Sequence, residues 1–172
     1  MYFNQLNALE RDRFISFEPI GHIYTVKGET YTSVTTVIDS FFPKFDADFW
    51  AVRKAPALGL TEDQLKAQWE KKGDEARNLG NLLHHKIERY YLGLANDSDP
   101  TYEIFRQFAM KINLVPYRTE WAIFDDKHKV AGTLDFLDCQ NGHFNIYDWK
   151  RSNKVNCNGI PKDCVCSNLP YP

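Results

Sequence analysis

The chain has no apolar run approaching the ~20 residues needed to cross a bilayer, so a membrane-spanning helix is not expected. It opens MYFNQLNALERDRF, without a basic stretch followed by an apolar core. A secretory leader is therefore not expected, and an intracellular protein is. Charge of one sign is not in excess: 21 Lys+Arg stand against 23 Asp+Glu. A non-specific nucleic-acid coat protein, which would be strongly basic, is excluded, but an enzyme with one local basic patch is not. Cysteine is scarce and has no CxxC spacing. Of the four, Cys157, Cys164 and Cys166 cluster near the end of the chain. Loop or tail thiols are the favoured reading over a structural zinc module. What remains is an ordinary globular composition, 43% apolar and 26% charged. Over 172 residues that suits one domain.

Phe14–Phe17, His22–Val26 and Thr30–Thr32 read as short strands separated by the Pro19–Gly21 and Lys27–Glu29 turns. Ser33 is placed to cap a helix carrying Val34, Val37, Ile38 and Phe41, and a second short helix covers Asp46 to Lys54. Thr61-Glu-Asp-Gln64 has the capping-box form and opens a long helical stretch to Tyr91, which Gly73 and Gly80 are placed to divide. Gly93 is a C-cap candidate, and Tyr102–Ile112 is a further helix. Thr119–Phe124, Val130–Asp138 and His143–Trp149 read as strands. The order predicts an α/β fold with a central mixed sheet flanked by helices. Residues 1–60 would form an N-terminal hairpin and helices acting as a flap, 61–150 the core and 151–172 an irregular tail.

Asn141-Gly142 between two β-prone runs predicts a two-residue type I′ hairpin. The turn then sets Gln140 opposite His143, Cys139 opposite Phe144, Leu137 opposite Ile146 and Asp135 opposite Asp148. Period-2 alternation adds Thr133 and Lys150 to the face carrying both aspartates. Like charges directly opposed destabilise a sheet. A divalent cation between them removes that repulsion, and Mg²⁺ is usually held by one or two carboxylates with waters and phosphate oxygens. Lys150 would then orient an attacking water or stabilise charge developing on a phosphate.

The long helix adds a candidate ligand. His84 and Glu88 are four residues apart and share a face, beside an apolar stripe of Leu83, Ile87, Tyr90 and Leu94. His85 lies off that face and is expected in solvent. Gly80 costs a helix about 1 kcal/mol relative to Ala, which is easier to understand if something approaches the backbone there.

Gly80-x3-His84-x2-Ile87-Glu88, Gly132-x2-Asp135 and Asp148-x-Lys150 together resemble the PD-(D/E)XK nuclease superfamily, in its RecB-like exonuclease branch. The upstream His22-Ile-Tyr-Thr-Val, Tyr31-Thr-Ser-Val-Thr35 and Phe45-Asp-Ala-Asp48 resemble the versions carried by large DNA viruses. The likeness spans roughly residues 15–152.

The resemblance implies a restriction-endonuclease-like core and Mg²⁺- or Mn²⁺-dependent hydrolysis of DNA phosphodiesters. No organic cofactor is implied, and a viral protein would work in the host cytoplasm or nucleus. His84, Asp135 and Asp148 would ligate the metal, with the Trp149 carbonyl as a backbone ligand and Lys150 as the catalytic lysine. Glu120 matches a frequent acidic position of the preceding strand and is assigned a supporting role. Glu88 would orient the site or serve a second ion. Lys86, Arg89, Arg151 and Lys154 are candidate phosphate contacts, which would make binding salt-sensitive. The family's final helix, with its Gln-x3-Tyr-like motif, has no counterpart after Lys150, so the chain is expected to stop before a further element. An RNA endonuclease with the same site, or a nuclease-derived domain that binds nucleic acid or a partner without cutting, are the alternatives.

Overall fold

The computed structural model describes residues 2–94 and 99–152. It is an α/β arrangement in which helices flank one open, mixed sheet. The strands are β1 (Ile15–Glu18), β2 (Ile23–Val26), β3 (Glu29–Ser33), β4 (Pro116–Asp125), β5 (Val130–Gln140) and β6 (His143–Tyr147). The helices are α1 (Tyr2–Leu6), α2 (Val34–Asp39), α3 (Ala47–Leu58), α4 (Glu62–Tyr91) and α5 (Pro100–Ile112). Among the described residues no helix is long and apolar enough to cross a membrane.

The capping chemistry acts where the sequence places it. Ser33 Oγ accepts from the Thr36 amide, and Thr61 and Gln64 close a reciprocal capping box. Gly93, at φ 70°, ends α4 with paired bonds from its own amide to Tyr90 and from the Leu94 amide to Arg89. Gly73 and Gly80 do not divide α4, which runs unbroken for 30 residues. Its packing outweighs two glycines, each costing about 1 kcal/mol.

Strand β5 organises the sheet. Along one edge it pairs antiparallel with β4. Along the other it pairs first with β3, parallel, through Val130 and Ala131, and then with β6, antiparallel, from Phe136 to Gln140. Residues 132–135 of β5 lie in the gap between these two neighbours. Gly132 sits there because a Cβ would stand 3.2 Å from Val34 Cγ2 at the start of α2. The N-terminal hairpin expected from the sequence is present as β1–β2, and β3 follows it. Through β3 it is continuous with the central sheet.

Two apolar clusters hold these layers. Tyr24, Val26, Tyr31, Phe124 and Ala131 join the hairpin to the sheet. Leu83, Ile87, Tyr102, Phe105 and Ala109, with Tyr91 and Trp149 against them, join α4 and α5 to the end of β6. Each large side chain so buried contributes roughly 1.5–3 kcal/mol.

Helix α1, which the sequence reading did not identify, covers the outer edge of β4. The Asn4 amide donates to the Thr119 carbonyl at 2.7 Å and accepts from the Thr119 amide at 3.2 Å. Asn7 donates to the Tyr117 carbonyl. These side chains replace a neighbouring strand and protect an edge that would otherwise be open. Beneath them lies Arg118, only 1% exposed, paired with Asp12 at 2.7 Å and with the Asn7 carbonyl.

Candidate metal centre

The hairpin register predicted from Asn141-Gly142 is the one observed, with both turn residues at positive φ. Leu137 faces Ile146, Cys139 faces Phe144 and Gln140 faces His143. The ladder ends at Phe136 and Tyr147, short of the expected pairing of Asp135 with Asp148 and of Thr133 with Lys150. Asp135 does not complete a further rung with Asp148. Its Oδ2 instead accepts the Trp149 backbone amide at 2.7 Å, and this turns the chain inward.

The carboxylate that Asp135 does face comes from the other side. Thr119 pairs with Phe136 and Trp121 with Leu134, so Glu120 stands opposite Asp135 across the β4–β5 ladder. Glu120 adopts φ 46°, a left-handed conformation rare for a non-glycine residue inside a strand. Such a conformation costs on the order of 1–3 kcal/mol and persists where surrounding structure enforces it. Here the Asn4 clamp on Thr119 fixes the preceding residue.

His84 closes the group from α4. Leu83 and Ile87 are buried on either side of it in sequence, and this sets the helix rotation that turns the imidazole to the sheet. Nδ1 lies 3.4 Å from Glu120 Oε1 and 3.7 Å from Asp135 Oδ1. Nε2 lies 2.8 Å from the Trp149 carbonyl oxygen. A carbonyl only accepts, so Nε2 carries the proton and Nδ1 turns toward the carboxylates.

Among the described residues, His84, Glu120 and Asp135 are the group able to hold a metal ion, each offering one ligand atom within 4.8 Å of the others. The donor set is one imidazole nitrogen and two carboxylate oxygens. Its outer hydrogen bonds also fit: Trp149 holds the far ring nitrogen of His84 through its carbonyl and the far oxygen of Asp135 through its amide.

Two of the three side chains are shifted from their ordinary pKa values. His84 is raised above the ordinary imidazole value, first by its contact with Glu120. Burial opposes this, and the charge of Asp135 and the Trp149 carbonyl add to it. Asp135, 11% exposed, is raised first by burial and further by the charges of Glu120 and Asp148, against the Trp149 amide and His84.

The other predicted residues are placed differently. Asp148 is outside the converging group and pairs with Lys150 at 2.9 Å, at an exposed strand end. The two side chains are 59% and 74% exposed, so Lys150 does not lean over the carboxylates here. The Trp149 carbonyl, expected as a ligand, accepts from His84. Glu88 is half-buried on α4 and outside the group. Lys86 pairs with Asp99, the N-cap of α5, and Arg89 donates to the Leu94 carbonyl at 2.8 Å, so both cations serve helix ends. Arg151 is exposed. Lys154, Cys157, Cys164, Cys166 and the rest of the tail call lie outside the described residues. Gly80 has open space where a Cβ would be, so no described residue explains it by close approach.

The sequence reading gave Glu120 a supporting role and missed Arg118. The Asp126–Lys129 turn before β5 carries neither glycine nor asparagine, so nothing in it fixed which β4 residue meets Asp135. Comparisons with family models, with curated proteins and with solved structures give no match to this chain.

Proposed function

We propose that this protein is a divalent-metal-dependent nuclease that hydrolyses DNA phosphodiester bonds, with the restriction-endonuclease-like core that its PD-(D/E)XK-like motifs suggest. One observation carries the reading. Glu120 and Asp135, opposed across a ladder, converge on an imidazole whose far nitrogen is held by the backbone. The three groups each offer one ligand atom within 4.8 Å of the others, which is what supports a cation there.

His84, Glu120 and Asp135 would hold Mg²⁺ or Mn²⁺. The cation would supply Lewis acidity at the phosphate. Trp149 keeps two of the three ligands oriented through its backbone. Lys150, exposed and paired with Asp148, would exchange that carboxylate for a phosphate oxygen and offset the charge that develops there. Asp148 holds the ammonium until substrate arrives. Water would attack phosphorus in line and give up a proton to solvent, and the bond to the leaving oxygen would break as that oxygen takes a proton from solvent.

The test is Mn²⁺-dependent cleavage of linear and circular DNA, with matched RNA, by the wild type, Asp135→Asn and Lys150→Ala. Expected is cleavage by the wild type and a loss of at least about a hundredfold in either variant. The exposed Asp148–Lys150 pair favours one second reading, a domain that holds a cation and nucleic acid without cutting. A wild type that binds Mn²⁺ and leaves every substrate intact identifies that reading.

A further inference from the structure

A cleft of about 900 Å³ runs between the N-terminal hairpin and the sheet, and Glu120 and Thr133 line it together with Phe17, His22, Tyr24 and Asn81. The hairpin wall is aromatic. Phe17 stacks on Tyr24 with ring centroids 4.5 Å apart, and His22 meets both rings edge-on at 5.1 and 5.4 Å. Tyr24 is buried and its hydroxyl lies 3.0 Å from the Thr133 hydroxyl, two residues before Asp135 on β5. The wall is thereby anchored to the strand that carries the metal ligands. Phe17, unlike Tyr24, remains 38% exposed.

One cleft therefore offers an aromatic face along its wall and a cation-holding group beside it. A ligand satisfying both has a flat π surface and a phosphate joined by a short linker, which describes a nucleotide. In a duplex the base faces are already stacked on each other, and only an unpaired base can present one to a protein ring. We infer that the Phe17–His22–Tyr24 wall stacks an unpaired base of a single-stranded DNA end whose phosphate is directed to the His84–Glu120–Asp135 group. This rests on the nuclease reading for the destination of the phosphate, but the stacking is measurable without cleavage.

The test is equilibrium binding of an end-labelled single strand of about ten nucleotides to the full chain, with Ca²⁺ in place of Mn²⁺. A second strand carries the same phosphates but has abasic sites at its unlabelled end. The wild type is expected to bind the intact strand about tenfold or more tightly than the abasic one. Phe17→Ala is expected to lose that preference and Phe17→Trp to keep it. Equal binding of both strands by the wild type overturns the inference, and needs no variant to fold. An unchanged preference in Phe17→Ala also overturns it. Base-dependent binding without cleavage under any metal leaves the stacking site standing and overturns the nuclease reading instead.

Discussion

Glu120 faces Asp135 across the β4–β5 ladder, and the His84 imidazole stands between them at 3.4 and 3.7 Å. Two opposed carboxylates destabilise a metal-free sheet. Replacing Glu120 by Gln is expected to raise stability in chelator at about pH 8 by up to about 1 kcal/mol. The same change is expected to cut stabilisation by Mn²⁺, which at a hundredfold excess over the wild-type Kd is about 2.7 kcal/mol, to about 1.4 kcal/mol or less. Thermal unfolding of both proteins with and without Mn²⁺ checks this. A Glu120→Gln protein less stable than wild type in chelator contradicts it.

The direction of the pKa shifts sets a pH dependence. His84 and Asp135 are both raised in the folded chain. Each binds its proton more tightly when folded, so its contribution is complete below its unfolded pKa. That contribution is lost as pH rises through the folded value. A cation requires the deprotonated ligands. The rise in Tm on adding Mn²⁺ is therefore expected to grow between about pH 5 and pH 8. A rise that shrinks with pH over that window contradicts the assignment.

Gly80 lies one turn before His84, with open space where a Cβ would be. Gly80→Ala is expected to stabilise α4 by about 1 kcal/mol, a Tm gain of about 2–4 °C. A loss of Tm would show a contact at that backbone that the described residues do not make.

Gly132 is the opposite case. A Cβ there would press on Val34 Cγ2 at 3.2 Å. Gly132→Ala is expected to cost about 1–3 kcal/mol by urea denaturation. Val34→Ala in the same chain is expected to restore most of the loss, because it removes the atoms in conflict.

The strongest sequence signals were local ones. Asn141-Gly142 fixed the hairpin register because few residue pairs adopt two consecutive left-handed conformations. Ser33, Thr61 and Gly93 marked helix ends through side-chain or backbone chemistry that acts within a few residues. His84 and Asp135 were legible because helix and strand periodicity assign a face. The partner of Asp135 was not, because two strand edges compete for it. The hairpin argument chose Asp148, whereas the Trp149 amide ends that ladder early and the β4 register brings Glu120 instead. Helix α1 was illegible because its five residues bury nothing, and the side-chain amides of Asn4 within it and Asn7 just after it bond a strand distant in sequence.

The most direct measurement is Mn²⁺ binding to the full chain by titration calorimetry, comparing the wild type with Glu120→Gln and Asp148→Asn. Expected is at least one Mn²⁺ per wild-type chain, with affinity reduced about tenfold or more in Glu120→Gln and held within a few-fold in Asp148→Asn. Unchanged affinity in Glu120→Gln, or a loss confined to Asp148→Asn, would contradict a site built from His84, Glu120 and Asp135.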